Sequence, residues 1–300
     1  MNKNYKLFAK VLTEIALLQT NYLSIKMKRV KLNNIDNWIL YRSKRGKLTF
    51  SRQELVSDFS HLSEQTVKNN LNLLIKKGEI FPVFKGFYSA IPVDYALIGI
   101  VPPEFYINDL MKYLNRPYYV SLLNAAAFYG SAHQKPQVFS VITSLPTLRD
   151  TTKRNTSIAF ISTRKEIPQK WLKTVRGQNG DFYVSKPELT AADLVTFQKE
   201  IGGLNRACTV LYELMEVVKF GKLNKTFFDY VPTSTIQRLG YLLENELEQP
   251  EQADILLSKA RTHGCKFQKI PLKNNKPTNN CETNEKWKII INEKIEIDEV

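Results

Sequence analysis

Residues 49–91 read TFSRQELVSDFSHLSEQTVKNNLNLLIKKGEIFPVFKGFYSAI, and this stretch decides the fold of the N-terminal part of the chain. Ser51 is followed three residues later by Glu54, a capping box that predicts the start of a helix. Ser63 is a second predicted N-cap, in front of a helix over 64–77. The stretch therefore predicts two short helices in close succession.

The second of these helices has one apolar face and is followed by a hairpin. Its buried face is predicted from apolar residues at helical spacing, namely Val67, Leu71, Leu74 and Ile75. Gly78 ends the helix, and two apolar runs on either side of Lys85 and Gly86 predict two strands joined by a turn. A further helix over 33–43 precedes them. Three helices and a hairpin in this order are typical of a winged helix-turn-helix domain.

The polar face of the second helix carries residue types that contact DNA. Asn and Gln can bond adenine in the major groove, Lys can bond guanine or phosphate, and the Thr methyl can contact thymine. Any exposed helix face must be polar, so a solvated surface is the alternative. The capped helix pair and the hairpin favour DNA binding. We predict that the contacts come from Arg52, Gln65, Thr66, Lys68, Asn69, Asn72, Lys76 and Lys85.

Composition supports a basic, cytoplasmic protein. The formal net charge of the 300 residues is +14, which favours polyanionic partners such as DNA or RNA, although an anionic membrane surface is an alternative. The three cysteines form no Cys-x-x-Cys pair, which is typical of a reducing compartment. The N-terminus lacks the apolar core of a signal peptide, and we expect no membrane-spanning segment.

The length of the chain predicts more than one domain. We expect an amphipathic helix within residues 1–28, a winged-helix domain over 29–98 and a larger α+β or α/β domain over 99–300. In the larger domain a capping box is expected at Thr190 and Asp193. The predicted helices are 119–129, a helix opening at Thr190, 205–218, 233–247 and 250–262, and the predicted strands are 138–143, 157–163, 182–185 and 288–291.

Five segments of the larger domain carry a resemblance to a known family. They are HQKPQVFSVIT at 133–143, YVSKPELTAADLV at 183–195, GGLNRACTVLYEL at 202–214, QRLGYLLE at 237–244 and NEKWKIIINEKIEID at 284–298. Together they resemble the AbiEi antitoxins of type IV toxin-antitoxin (abortive infection) systems. The resemblance extends over about residues 30–300 and does not include the N-terminal helix.

The resemblance implies a cofactor-free, non-enzymatic antitoxin with two activities. The winged helix would bind repeats in its own promoter and repress transcription. The C-terminal domain would counteract a nucleotidyltransferase-like toxin in phage defence, and no stable complex between the two would be required. By position, the resemblance implies that the DNA-binding elements are the helix at 64–77 and the FKGFY segment at 84–88, which would be the wing. Lys85 stands where related sequences often have Arg, which suits a phosphate contact. Contact with RNA and a dimer on DNA remain open.

A second basic patch is concentrated between residues 149 and 176, where Asp150 and Glu166 are the only acidic residues. It predicts either a solvated face or a second nucleic-acid surface that contributes to antitoxin activity. Reversing Arg164, Lys165, Lys170 and Lys173 to Glu is expected to abolish toxin neutralisation. The full patch consists of Arg149, Lys153, Arg154, Arg164, Lys165, Lys170, Lys173 and Arg176.

Catalytic and metal-binding patterns are sparse. His61, His133 and His263 lack partners at metal-ligand spacing. Asp181, Lys186 and Glu188 are expected near one strand end and suggest a metal-dependent nuclease as the main enzymatic alternative, although the usual carboxylate-x-Lys order is absent. A transcriptional regulator with a ligand-sensing C-terminal domain is the other alternative. We therefore expect no catalytic residue and no metal site.

Overall fold

The computed structural model of this protein describes residues 34–131 and 136–297. Its helices and sheets form an α+β fold, as the sequence predicts. The helix expected within residues 1–28 lies outside the described ranges, and so does His133.

Residues 34–91, which we call the N-terminal unit, form three helices and a three-stranded sheet. The strands pair antiparallel in the order β1-β3-β2. The three helices and the hairpin follow the order predicted from the sequence, whereas strand β1 was not predicted. Their bounds are α1 Ile35–Ser43, β1 Thr49–Ser51, α2 Arg52–Asp58, α3 Glu64–Lys77, β2 Ile80–Phe84 and β3 Phe87–Ala90.

The helix ends of the N-terminal unit are fixed by the side chains that the sequence singled out. Ser51 Oγ accepts from the Glu54 amide at 3.1 Å, and Glu54 Oε2 accepts from the Ser51 amide at 2.6 Å. Ser63 Oγ accepts from the Thr66 amide at 3.1 Å. Gly78 ends α3 with a φ of +73°, a left-handed conformation that glycine adopts without a Cβ clash. The predicted capping box, N-cap and helix stop are confirmed.

The core of the N-terminal unit forms around Trp38 of α1. Its ring packs edge-on against Phe50 and Phe59, with centroids 5.6 Å and 6.3 Å away. Its indole N–H donates to Asp58 Oδ2 at 2.8 Å, which satisfies the polar atom of a buried side chain. The predicted apolar face of α3 packs here through three buried residues, Val67, Leu71 and Leu74, while Ile75 is half-buried at its edge.

The hairpin of strands β2 and β3 contributes to two separate cores. Ile80 belongs to the core of the N-terminal unit. Phe81, Val83 and Phe87 instead pack with α4 (Ile107–Tyr113) and with the larger sheet, in a cluster that also contains Phe160. Since successive strand residues point to opposite faces, a single hairpin can close both cores.

The larger sheet has six strands in the order β6-β7-β5-β4-β9-β8. Parallel pairs join β5 to β7 and β4 to β9, and the other pairs are antiparallel. β6 and β8 are therefore the two edges, and the apolar β5 and β4 lie inside. The bounds are β4 Tyr118–Val120, β5 Val138–Ser144, β6 Thr151–Lys153, β7 Thr156–Thr163, β8 Leu172–Gly177 and β9 Gly180–Ser185.

Helices pack around the sheet, and the C-terminal segment covers them. This segment contributes three two-residue strands, β10 Ile270–Pro271, β11 Thr283–Asn284 and β12 Ile289–Ile290. Its anchor is Trp287, which is fully buried and donates its indole N–H to Glu244 Oε2 at 2.6 Å. The helices are α5 Leu122–Phe128, α6 Pro187–Thr196, α7 Leu204–Leu214, α8 Lys225–Tyr230, α9 Thr233–Asn245 and α10 Pro250–Thr262.

Gly240 on α9 provides the space that the Trp287 ring occupies. A Cβ at this position would overlap the six-membered ring of Trp287. We expect Gly240→Ala to lower the free energy of unfolding by about 1 to 3 kcal/mol, because overpacking a filled core forces side chains and backbone to shift. Urea unfolding monitored by tryptophan fluorescence measures the change. Gly221→Ala is the control, since a Cβ there meets nothing within 4 Å. Equal stability of the two variants would contradict the packing described for Trp287.

In the larger domain one helix begins later than the sequence predicts, and two edge strands were not predicted. The helix predicted over 119–129 begins only at Leu122, because Tyr118–Val120 is a buried strand that pairs with β5 and β9. Strands β6 and β8 were not predicted. Both are edge strands with charged residues, and the central strand that each pairs with supplies the apolar packing.

The capping box predicted at Thr190 and Asp193 is wrong. Helix α6 begins at Pro187 with Lys186 as its N-cap residue, because proline suits the first helical position. Thr190 lies inside the helix and donates to the Lys186 carbonyl at 3.0 Å. Asp193 is almost fully buried, and its Oδ2 accepts from Ser121 Oγ at 2.6 Å. Asp193 therefore joins α6 to the start of α5, whereas Thr190 bonds within the first turn of its own helix and to Ser185.

Burial raises the pKa of Asp193 to about 7, against the opposing hydrogen bonds from Ser121 and Tyr119. The pKa of Asp193 in the folded protein lies above its value in an unfolded chain, about 3.9. The carboxyl therefore contributes fully to the free energy of unfolding below pH 4, and this contribution is lost as the pH rises through 7. Compared with Asp193→Asn, the wild-type protein is expected to lose about 4 kcal/mol of unfolding free energy between pH 4 and pH 8.

Urea unfolding at pH values from 4 to 8 tests this effect of Asp193. Asp181→Asn is the matched control, because Asp181 is an exposed residue at the start of β9. The control is expected to follow the wild-type curve at every pH, whereas the Asp193→Asn curve should diverge from it. Parallel pH curves for wild type and Asp193→Asn would show that burial does not raise the pKa of Asp193.

Candidate nucleic-acid interface

Helix α3 and the hairpin enclose a groove on the surface of the N-terminal unit. Its volume is about 730 Å³. Four of the predicted DNA-binding residues line it, from three different elements: Arg52, Lys68, Asn72 and Lys85. The fold thus brings together cationic and amide side chains that are up to 33 positions apart in sequence. We call this surface the α3–hairpin groove.

The remaining predicted contacts on α3 lie beside the groove. Each residue of an α-helix is rotated by about 100° from the one before, so Gln65, Asn69 and Lys76 form a strip next to Asn72. All of these side chains are exposed. Gln65 Nε2 donates to Asn69 Oδ1 at 2.9 Å. Gln65 Oε1 and Asn69 Nδ2 are the amide atoms of the pair that can still bond a base. One acceptor and one donor are what the major-groove edge of adenine requires.

Thr66 does not share this strip. It is rotated away from Gln65 by one helix position, on the side opposite the groove. Its hydroxyl lies 2.8 Å from Ser63 Oγ, so it takes part in the N-terminal cap of α3. The structure therefore separates Thr66 from the other predicted contacts.

Arg52 connects the starts of α2 and α3. Its guanidinium pairs with Glu64 at 2.6 Å, and both side chains are partly exposed. Exposed pairs of this kind contribute little to stability, and the guanidinium remains accessible to a phosphate. The Arg52 backbone N–H also donates to the Gly86 carbonyl at 2.8 Å, which fixes the hairpin turn to the start of α2.

The tip of the hairpin is supported by Tyr113 of α4. The Tyr113 hydroxyl donates to the Lys85 carbonyl at 3.3 Å, and its ring stacks on Phe87 with centroids 5.1 Å apart. Gly86 has a φ of +75°, and a Cβ there would lie 3.0 Å from the Tyr113 hydroxyl. The exposed Lys85 side chain is therefore presented by a constrained turn. No local pattern in the sequence indicates Tyr113, because the contact spans 28 residues and crosses the predicted domain boundary.

The second basic patch is not one surface. Lys153 lies on β6 and Arg176 on β8, the two opposite edges of the sheet, so five strand spacings of about 4.8 Å separate them, or about 24 Å. Arg149 and Arg154 lie near β6, and Arg154 donates to the Gly99 carbonyl. Lys170 and Lys173 lie at the β8 edge.

Arg164 and Lys165 follow β7 and belong to neither edge. Lys165 Nζ donates to the carbonyls of Asp229 and Tyr230 at 2.7 Å and 2.9 Å, at the C-terminal end of α8. Its charge thus stabilises a helix end. Reversing Lys165 would disturb that end as well as any ligand, so the four-residue reversal expected from the sequence does not isolate a binding effect.

A lysine-lined cleft lies beside the β8 edge. Its volume is about 530 Å³. Lys219 and Lys222 were not predicted as site residues, and Lys186 was considered only for the nuclease alternative, because all three are separated in sequence from the patch at 149–176. The buried Glu188 carboxylate at its base accepts from the Lys219 backbone N–H at 3.2 Å. The cationic residues of the cleft are Lys170, Lys173, Lys186, Lys219 and Lys222.

The residues of the nuclease alternative do not converge. Asp181 is exposed at the start of β9, whereas Glu188 is buried in the first turn of α6, beyond the opposite end of that strand. The strand alone separates them by about 13 Å. Over 34–131 and 136–297, no three His, Cys, Asp or Glu side chains are grouped as a metal site would require. His263 stacks on Phe228, with centroids 5.1 Å apart.

Comparison with known proteins gives one family. Residues 119–245 match the family model described as the AbiEi antitoxin C-terminal domain. The matched range begins in β4 and ends with α9, so it includes the lysine-lined cleft and excludes the N-terminal unit. No curated protein matches the chain in sequence. No helix of the described residues has the length and apolar character to cross a membrane.

Two solved structures are similar to parts of the chain. The crystal structure of the RV2827C protein from Mycobacterium tuberculosis has a TM-score of 0.57 and 12% identity, and the match covers 84% of this chain and 89% of that chain. The TM-score indicates a common fold, and the low identity supports no conclusion beyond the fold. An antigenic nucleotidyltransferase-like protein from Paracoccidioides brasiliensis has a TM-score of 0.30 and 8% identity, over 51% of this chain and 89% of that chain. That score is too low to indicate a common fold.

Proposed function

This chain belongs to the AbiEi antitoxin family through its domain at residues 119–245, and from this premise we propose that it is the antitoxin of a type IV toxin-antitoxin system. The winged-helix domain predicted over residues 29–98 binds repeats in the promoter of its own operon and represses transcription. The domain predicted over residues 99–300 counteracts a nucleotidyltransferase-like toxin and does not require a stable complex with it. The protein acts in the cytoplasm in phage defence and catalyses no reaction.

The observation that carries the DNA-binding part is the composition of the α3–hairpin groove and its adjoining strip. Amide side chains lie on the exposed face of α3, and Arg52, Lys68 and Lys85 flank them from three elements. In helix-turn-helix proteins the second helix enters the major groove, where amides read base edges and cations bind the flanking phosphates. In this protein the second helix is α3, and Lys85 lies next to it at the tip of the hairpin formed by β2 and β3.

The charge of the groove supports a polyanionic partner. Glu64 is the only acidic residue among those that line it, and it is paired with Arg52. The other cations, Lys68 and Lys85, form no ion pair with the described residues. Cations without a protein partner release counterions from DNA when they bind phosphate, and this gives affinity that decreases with salt.

A titration of the full-length protein with its own upstream duplex tests this function. The duplex carries a fluorescent label, and a scrambled duplex of the same composition is the control. We expect the upstream duplex to bind at least about a thousandfold more tightly, as specific DNA-binding proteins do. Both affinities should decrease with increasing salt. Equal affinities for the two duplexes at every salt concentration would reject sequence-specific repression.

A further inference from the structure

The lysine-lined cleft continues into a second, smaller cavity. The second cavity has a volume of about 280 Å³, and the two share Tyr129 and Lys173 as a common wall. Arg176 and Phe128 lie in the second cavity. The two cavities thus follow one another along the β8 edge of the sheet. We call them together the β8-edge track.

The track carries a positive charge that the protein itself does not neutralise. Six cations line it, and Glu188 is its only acidic residue. No cation of the track forms an ion pair with a carboxylate in the part of the chain that the structure describes. The ligand that suits such a surface carries several negative charges.

Protection of an exposed sheet edge does not account for these lysines. Edge strands often carry lysines that prevent pairing with another chain, and this could explain Lys173 on β8. Lys186 instead precedes α6, and Lys219 and Lys222 lie in the connection between α7 and α8. The fold collects lysines from three regions of sequence around one concave surface.

Two aromatic side chains line the second cavity, and one of them, Tyr129, also lines the first. Tyr129 is half-buried, and its hydroxyl donates to the Ser185 carbonyl at 2.8 Å, which holds the ring in place. Lys173 Nζ lies 5.7 Å from the centre of that ring. Phe128 is 41% exposed, which is unusual for phenylalanine next to a charged surface. Cations that follow a groove beside exposed aromatic rings are typical of sites for single-stranded nucleic acid.

We propose that the β8-edge track binds single-stranded nucleic acid, with phosphates on the lysines and an unstacked base on Phe128 or Tyr129. Double-stranded nucleic acid does not fit this arrangement, because its bases are stacked inside the helix and cannot reach an aromatic ring in a cleft. A mononucleotide would occupy one cavity only. The track goes beyond the proposed repression of the promoter and is separate from the α3–hairpin groove.

Fluorescence anisotropy with full-length protein tests the proposal. The probes are a labelled 12-nucleotide RNA, within the range of about 4 to 16 nucleotides that such sites cover, the DNA of the same sequence, the corresponding DNA duplex and ATP. We expect either or both single strands to bind more tightly than ATP, and substitutions in the track to weaken single-strand binding more than duplex binding, because the α3–hairpin groove is the proposed duplex site. The better single strand identifies the natural ligand as RNA or DNA. Single strands that bind no more tightly than ATP, or track substitutions that weaken single-strand and duplex binding equally, would overturn the proposal.

Substitutions locate the binding site. Changing Lys173, Lys219 and Lys222 together to alanine should weaken single-strand binding at least about tenfold and reduce the salt slope by about 2, at about 0.7 per phosphate contact. Phe128→Ala should weaken it about fivefold or more through lost stacking. Arginine at the same three lysine positions should preserve binding. The matched control changes three exposed lysines elsewhere, Lys199, Lys266 and Lys269.

The outcomes separate this proposal from the proposed promoter binding. Alanine at Gln65, Asn69 and Asn72 should leave single-strand binding unchanged, and the track variant should retain specific binding of the upstream duplex. An equal loss of single-strand binding in the track variant and in the Lys199, Lys266 and Lys269 control would overturn the proposal, since the effect would then be one of net charge only.

Discussion

Replacing Gln65, Asn69 and Asn72 together with alanine is expected to reduce affinity for the upstream duplex at least about tenfold and to leave affinity for a scrambled duplex almost unchanged. A bidentate amide contact to a base discriminates by about 1 to 3 kcal/mol, so the loss of even one such contact approaches this effect. The lysines that bind phosphate remain in the variant, and they supply the binding that does not depend on sequence.

Competition titrations at fixed salt measure the ratio of the two affinities for this amide variant. The three residues are exposed on α3, so the helix and its buried face should be preserved. A matched control changes two exposed amides far from α3 in sequence, Gln169 and Asn279, to alanine. If the amide variant binds as tightly and as selectively as wild type, the strip beside the groove is not the DNA-reading face.

Phe81→Ala is expected to lower the free energy of unfolding by about 3 to 5 kcal/mol, the usual cost of removing a buried aromatic ring. Phe81 is 2% exposed and packs between the hairpin, Tyr106 and the larger sheet. Because this core contains residues from both parts of the chain, the substitution should destabilise the sheet as well as the hairpin. It should also weaken duplex binding, since the hairpin would lose its fixed position beside α3.

Hydrogen exchange of strand β5 and urea unfolding measure these effects of Phe81→Ala. Phe59→Ala is the control, because Phe59 is equally buried but belongs to the core of the N-terminal unit alone. Both variants should lose stability, and only Phe81→Ala should increase exchange in β5. Unchanged protection of β5 in Phe81→Ala would mean that the hairpin and the sheet fold independently.

The N-terminal unit could be predicted closely because its signals are local. Ser51, Ser63 and Gly78 act within a few residues of their own positions, and the apolar positions of α3 follow helical spacing. The larger domain was predicted less well. Thr190 and Asp193 have the spacing of a cap, but Pro187 starts the helix earlier and a long-range contact with Ser121 buries Asp193.

The candidate sites show the same division between local and long-range signals. The helix face of α3 follows from spacing, whereas support of the hairpin by Tyr113 depends on a contact across 28 residues. The patch at 149–176 is continuous in sequence, yet the strand order puts its ends on opposite edges of the sheet. Lys219 and Lys222 join Lys173 through the packing of α6 on that sheet and of α7 on α6. Strand order and helix packing depend on contacts that no short segment contains.

The central claim, that this protein is an antitoxin, is tested most directly by growth in co-expression. The nucleotidyltransferase-like toxin gene that the proposal requires in the same operon and the gene for this protein are expressed from two independent promoters, so repression of the natural operon has no influence. The account predicts that the toxin alone stops growth, and that wild-type protein and the Gln65, Asn69 and Asn72 alanine variant restore it equally. Continued growth arrest with the wild-type protein present at high level would contradict the account.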